Sequence, residues 1–323
     1  MRLHKKAAAC LLTAAMALSM LTACGGGGTG GNGGGNTPTL PNPGEVILPD
    51  PGEGGGEGGG EGTETKPTKT PIADVNSSKL AKFNKKYAGV TEYYVEMQNV
   101  NYDEEGSAAH STDARIARKD YKAYLNMTMS GKNQKQQSVE ELILKEDKLY
   151  NTYLLLRDSK VAVKIASDDG DDMESLDSLI TDKLPPQMWS AKVKVGPTEY
   201  DAEVFNLDYY EYTVCYTTDG NPVYKFVRDP RTKQLRAAFL YKTIQAGSGT
   251  SKGLCEMPAG TKTYSLDDEN GTLTDANGNV FTLEPVTDSN GDLKGFIFRN
   301  KDGKDVTDDF KWANDFFKAM SGQ

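Results

Sequence analysis

Between Tyr93 and Tyr241 the sequence repeatedly alternates apolar and polar side chains, which is the period-two pattern of half-buried β-strands. Turn sequences such as Ser130-Gly131-Lys132-Asn133 and Asp219-Gly220 separate the alternating stretches. Because strands joined by tight turns pair as antiparallel neighbours, the pattern predicts an antiparallel meander with one buried face.

Three helices are expected to interrupt or close the strands. Ser78 and the two residues before it are good N-caps for a first helix that ends at Gly89, and Pro185-Pro186 ends a second. Thr307 is expected to cap a third helix at the end of the chain. The apolar faces of these helices are Leu80, Phe83 and Tyr87; Leu176, Leu179, Ile180 and Leu184; and Phe310, Ala313, Phe317 and Met320.

The N-terminus has the layout of a secretory signal, because a basic head is followed by the uncharged run 7–21. This run is shorter than the roughly 20 residues that span a bilayer. Leu21-Thr22-Ala23-Cys24 resembles the lipobox of bacterial lipoproteins. The resemblance implies that residues 1–23 are removed and that Cys24 is diacylated, with palmitate-type chains holding the protein on the extracytoplasmic face of the cell membrane. An ordinary secretory signal with an incidental cysteine is the alternative.

Residues 24–74 are predicted to be a disordered tether. Residues 25–72 contain 18 glycines and 7 prolines and almost no large apolar side chains, so they cannot bury a core. Glu45-Val46-Ile47-Leu48-Pro49 is an apolar patch within this stretch. It is interpreted as incidental, and a docking peptide is the alternative.

The charge of the chain argues against nucleic-acid binding. The formal net charge of −9 becomes −12 when the three basic residues of the signal are removed, and an acidic chain repels phosphate backbones. Cys215 and Cys255 form a disulfide in an oxidising compartment or remain two separate thiols, in a strand and a loop respectively. His110, expected in a hairpin loop, is the one histidine left after maturation, which disfavours a histidine-dependent enzyme or a zinc site.

Two acidic stretches resemble calcium loops only in part. Residues 168–172 carry four carboxylates without EF-hand spacing, and Asp275-x-Asn277-x-Asn279 lacks the glycine of that motif. Solvated turns explain both, so no metal and no cofactor is predicted. An enzyme using paired carboxylates on a glycan is a third, disfavoured hypothesis, because nothing in the sequence places two carboxylates across a cleft.

The stretches Ile143-Leu144-Lys145-Glu146-Asp147-Lys148-Leu149-Tyr150 and Tyr224-Lys225-Phe226-Val227-Arg228-Asp229-Pro230-Arg231-Thr232 resemble LolA/LolB-like and mycobacterial LppX-type lipoproteins. The resemblance covers about residues 76–245. It implies an α+β fold, a largely antiparallel, incompletely closed β-barrel with plugging helices, over residues 75–247. Residues 248–323 are predicted to be a small hairpin-rich module that ends in a helix.

Members of this family commonly carry lipids or acyl chains in the concave face, and the resemblance therefore implies an apolar ligand here. The candidate lining residues are Met97, Leu125, Met127, Met129, Tyr210, Tyr212, Phe226 and Phe239. Plain core packing is the preferred explanation for most of these stripes, and the sequence does not distinguish a filled barrel from a hollow one. The predicted function is thus a membrane-tethered lipoprotein that carries or senses a lipid or other apolar ligand. The alternative is a surface module that binds another protein or the cell wall without a small ligand.

Overall fold

The computed structural model describes residues 40–41, 46–49, 68–131, 134–169, 175–181, 183–290 and 293–314. The predicted signal, Cys24 and most of the predicted tether lie outside the described residues. Two short strands, β1 (Val46–Ile47) and β2 (Thr70–Pro71), precede helix α1 (Lys79–Tyr87).

Three successive groups of strands follow α1. The first meander comprises β3 (Glu92–Tyr102), β4 (Ala108–Lys119), β5 (Lys122–Gly131), β6 (Gln134–Glu146), β7 (Leu149–Leu156) and β8 (Val161–Asp168). The second comprises β9 (Met188–Val195), β10 (Thr198–Leu207), β11 (Tyr210–Tyr216), β12 (Pro222–Arg228) and β13 (Leu235–Ala246). The C-terminal strands are β14 (Lys262–Asp267), β15 (Thr272–Asp275), β16 (Val280–Thr287) and β17 (Leu293–Arg299).

All three groups belong to one sheet. The last strand of the second meander, β13, pairs antiparallel with β3, and the first C-terminal strand, β14, pairs in parallel with β8. The resulting order is β9-β10-β11-β12-β13-β3-β4-β5-β6-β7-β8-β14-β15-β16-β17. Within the described ranges no pairing joins β17 back to β9, so the sheet stays open. The predicted incompletely closed antiparallel architecture is confirmed.

Helix α1 covers one face of this sheet, which we call the inner face. The Ser78 side chain accepts a hydrogen bond from the Ala81 amide at 3.0 Å, as expected of an N-cap. Leu80, Phe83 and Tyr87 are buried against residues of both meanders, so the first predicted helix and its apolar face are confirmed.

The second predicted helix is wrong, whereas the helix predicted at the end of the chain is confirmed with a different start. Leu176–Ser178 forms a single 3-10 turn whose Leu176 packs near α1. The Pro185-Pro186 pair holds the preceding backbone extended, which leaves too little chain to nucleate a helix. At the C-terminus a 3-10 turn, Thr307–Phe310, leads into helical residues 311–314. Its N-cap is Val306, not Thr307, whose hydroxyl hydrogen-bonds to the Asp305 carboxylate and the Phe298 amide. The predicted face residues Phe317 and Met320 lie outside the described residues.

The predicted tether is also corrected where the structure describes it. Strands β1 and β2 both pair with the outer edge of β9. Leu40, Val46 and Leu48 pack on the outer face of the sheet, the face opposite α1, against a cluster around Phe226 and Tyr224. The apolar patch is therefore a docking segment bound to its own chain, because the outer face there is too apolar to leave in water.

Candidate ligand-binding site

An apolar pocket lies between the inner face of β7 and β8 and the C-terminal part of the chain. The pocket is partly open to solvent, and its cavity has a volume of about 40 Å³. This is smaller than the roughly 300–1,000 Å³ of typical small-molecule sites, so a larger ligand would extend into the part that is open to solvent. The lining residues are Leu154, Leu156, Val163, Ile165, Leu266, Leu273, Leu283, Phe296, Phe298, Trp312 and Ala313.

Strand alternation places the first wall of the pocket. Leu154 and Leu156 on β7 face the same side as Val163 on β8, because Leu154 and Val163 are directly paired. Ile165 is two residues beyond Val163 on the same strand, so it faces this side as well. Neighbouring side chains on one face stand close together, so these four form a continuous apolar surface.

The second wall is an aromatic cluster of the C-terminal strands. Phe310 stacks on Phe298 with ring centroids 4.6 Å apart, and its edge meets Phe281 at 4.7 Å. The ring centroids of Trp312 and Tyr264 lie 5.4 Å apart. Such pairs add to the stability gained from burial alone, so this wall is packed before any ligand arrives.

One buried carboxyl group, that of Glu141, lies beside a residue that lines the pocket but does not line the pocket itself. Glu141 on β6 pairs directly with Leu154, a lining residue, and with Leu125 on β5, so all three share the inner face. Its side chain is only 4% exposed, and burial raises the pKa of this carboxyl to about 7. Sequence reasoning missed Glu141, although it stands between Val139 and Ile143 at an apolar position of an alternating strand.

The structure distributes the predicted lining residues around the sheet. Met97, Leu125, Met127, Met129, Tyr212 and Phe239 lie on the inner face, where Met97, Tyr212 and Phe239 pack against the core under α1. Met129 contacts the small cluster that contains Leu154 and Ile165, beside the pocket. Tyr210 is 38% exposed, and Phe226 is buried on the opposite face. The described pocket is lined by none of the eight, and their part in binding stays a prediction.

The two cysteines are separate thiols. Cys215 is buried on β11 in the cluster beneath the docking segment. Cys255 is buried in a turn segment that covers Tyr94 and Ala117. A disulfide is therefore absent from the described structure, and burial raises the pKa of the Cys255 thiol to about 12, which keeps it protonated.

Neither His110 nor the described acidic turn at residues 275–279 belongs to a group of side chains that could hold a metal ion. His110 lies within β4 opposite Asn101, which corrects the expected hairpin loop. The Asp275 carboxylate accepts hydrogen bonds from the Asn277 and Asn279 amides, as in an ordinary polar turn. Among the described residues no three His, Cys, Asp or Glu side chains are grouped for a metal ion; part of the 168–172 stretch lies outside them.

A buried ionic cluster anchors the docking segment on the outer face. Glu211 accepts from Arg228 and from Lys69, whose ammonium lies 2.5 Å from the carboxylate. The Arg228 guanidinium also donates to the Pro49 carbonyl. Each charged group thus has partners, which is the condition under which burial of charge is tolerated.

No helix in the described part of the chain has both the length and the apolar composition needed to cross a bilayer. No protein-family model and no curated protein matches the sequence.

Comparison with solved structures finds distant resemblances. An uncharacterized conserved protein from Thermus thermophilus is 10% identical over 58% of this chain and 97% of that one, with a TM-score of 0.33. A chain of the MucA/MucB complex of Pseudomonas aeruginosa is 13% identical over 66% of this chain and 81% of its own, with a TM-score of 0.28. A Bacteroides fragilis protein described as exported and YmcC-like in fold is 8% identical over 47% and 95%, with a TM-score of 0.19. At these scores the resemblances carry no argument about function.

Proposed function

We propose that this protein is a membrane-tethered extracytoplasmic lipoprotein that binds a lipid or another apolar molecule and has no catalytic activity. The observation that carries the proposal is the apolar pocket between β7, β8 and the C-terminal strands. Concave sites lined mainly by aliphatic and aromatic side chains are typical of small-molecule binding.

The location in this proposal rests on the sequence. The basic head, the uncharged run and Cys24 resemble a lipoprotein signal. Two acyl chains give a stable membrane anchor. The glycine-rich stretch between Cys24 and the docking segment gives the folded part reach from the membrane, where apolar ligands are available.

Native mass spectrometry tests the binding function. Residues 25–323 contain every contact described above; this chain is exported from a bacterium and weighed without denaturation. We expect added mass that disappears after extraction with organic solvent, because an apolar ligand is held only by burial. If the preparation carries no added mass and also fails to bind an environment-sensitive apolar dye, the proposal is wrong.

A protein-binding role is the second candidate, and one observation favours it. Tyr209 is 85% exposed at the turn between β10 and β11, beside the partly exposed Tyr210. Exposed tyrosines are enriched in binding surfaces because they combine apolar area with a polar tip. A photo-crosslinker placed at position 209 in cells should yield a discrete crosslinked species that Tyr121, exposed elsewhere, does not give.

A further inference from the structure

Among the described residues, the sheet buries three glutamate side chains, and they differ in their partners. Glu203 accepts hydrogen bonds from the Lys79 and Leu80 amides and from the Tyr216 hydroxyl. Glu211 accepts from Lys69 and Arg228. Glu141 is as buried as Glu203, yet its Oε1 has no hydrogen-bond partner among the described residues.

A buried carboxyl oxygen without a hydrogen-bond partner is unfavourable, whether the group is charged or neutral. The chain provides partners for two of its buried glutamates within the fold. The third is therefore better explained by a partner that comes from outside the chain than by packing alone.

The described residues around Glu141 supply no compensating charge. Its cross-strand neighbours are Leu125 and Leu154, and its neighbours along the same face of β6 are Val139 and Ile143. The pocket-lining residues of the C-terminal strands are apolar, and the inner-face positions of β5 next to it are alanine, leucine and methionine.

The charged groups further along this face have partners of their own. Lys145, four residues from Glu141, lies 4.2 Å from the ring centre of Tyr121 and donates to Tyr150. Arg118 on β4 donates to the Asp120 carbonyl. Asp168, at the end of β8, lies opposite Tyr150 and also has an interaction of its own.

We propose that Glu141 is the polar anchor of the apolar pocket: its carboxyl group accepts a hydrogen bond from the ammonium or hydroxyl head of a single-chain amphiphile, whose tail lies against Leu154 and Ile165. The proposal rests on the binding function proposed above and adds the class of ligand. Leu154 connects the two parts, since it is paired with Glu141 and lines the pocket. A carboxylate head is disfavoured there by repulsion and by the absence of a nearby described cation.

Three twelve-carbon probes test the head-group preference: dodecylamine, dodecanol and dodecanoate, each displacing an apolar dye from residues 25–323 at pH 8 and below its micellar concentration. We expect the amine to bind about tenfold or more tightly than dodecanoate, with the alcohol between them, since a charge-assisted hydrogen bond is the stronger one. Glu141→Gln should abolish most of the preference for the amine. Glu199→Gln, at an exposed position of β10, is the matched control and should leave the ranking unchanged.

The outcomes separate this inference from the binding function. If all three probes bind and the ranking is the same in wild type and Glu141→Gln, the anchor role is overturned while the apolar site stands. If neither the dye nor any probe binds the wild type, the binding function itself fails. Glu141→Leu, checked by circular dichroism, provides a second variant; it should bind dodecanol more weakly than the wild type does, and unchanged dodecanol affinity in this variant would also overturn the anchor role.

Discussion

The side chain of Asn314 makes two hydrogen bonds to the backbone of Phe296. The Phe296 amide donates to Oδ1 of Asn314 at 2.8 Å, and Nδ2 of Asn314 donates to the Phe296 carbonyl at 3.0 Å. The side chain thereby takes the place of a neighbouring strand beside β17. Trp312 and Ala313, which immediately precede it, are held over the apolar pocket. Gly295 makes this approach feasible, because a Cβ there would lie 2.8 Å from Oδ1 of Asn314.

Asn314→Ala should lower the free energy of unfolding by about 1–3 kcal/mol, because two backbone groups lose their partner. Gly295→Ala should have a similar effect, because the added Cβ displaces the side-chain amide of Asn314. The double variant should cost clearly less than the sum, since both substitutions break the same contact. Urea denaturation of the four proteins measures this, with exposed Asn290→Ala expected within about 0.5 kcal/mol of wild type. If the two destabilisations add in full, Asn314 and Gly295 do not act through the same contact.

Ala313→Trp should block the pocket. Ala313 lines it and is only partly buried, so an indole at this position competes with a ligand for the same space. We expect the affinity for an apolar dye to fall by about tenfold or more, because the space available for apolar contact is lost. Fluorescence titration measures the affinity, and Ala108→Trp, exposed on β4, is the control for the added aromatic ring. Equal dye binding by Ala313→Trp and wild type would place the dye elsewhere.

Arg228→Met should strongly destabilise the fold. The change leaves Glu211 with Lys69 alone and removes the donor to the Pro49 carbonyl. Breaking one side of a buried ion pair typically costs about 3–5 kcal/mol, because the remaining charge stays desolvated. Denaturant unfolding measures the loss. Arg231→Met, whose side chain is 88% exposed, should change stability by less than about 0.5 kcal/mol. Similar effects of both substitutions would refute the assigned role of Arg228.

The local sequence was sufficient to predict the strands and α1, because each is encoded by a short pattern. The alternation through Leu125, Met127 and Met129 places all three on the inner face, as observed. The pocket was not predictable in this way. Its two walls meet through the parallel pairing of Lys262 with Val161, about a hundred residues apart, and no local pattern specifies that register.

The docking segment illustrates a second limit. Val46 to Leu48 lies in a glycine- and proline-rich stretch whose average composition predicts disorder. Its place is decided by an apolar outer face and by the Arg228 donor, which come from the second meander. Composition averages over a stretch and so conceals a short segment that has a specific partner.

Glu141 should make the stability of the protein depend on pH. In the folded state burial raises its pKa to about 7, whereas the unfolded chain loses this proton near the ordinary pKa of 4.5. Between these values the unfolded state binds fewer protons than the folded state, so the free energy of unfolding falls as the pH rises. The shift corresponds to at most about 3 kcal/mol across that window.

Glu141→Gln cannot ionise and should therefore lack this component. We expect Glu141→Gln to become more stable relative to wild type as the pH rises from 5 to 8. Urea denaturation at several pH values in ligand-free protein measures the difference, and Glu199→Gln shows the contribution of an exposed carboxylate. A difference that stays constant over this range would mean that Glu141 titrates normally, and hence that water or another group reaches its carboxyl in the folded protein.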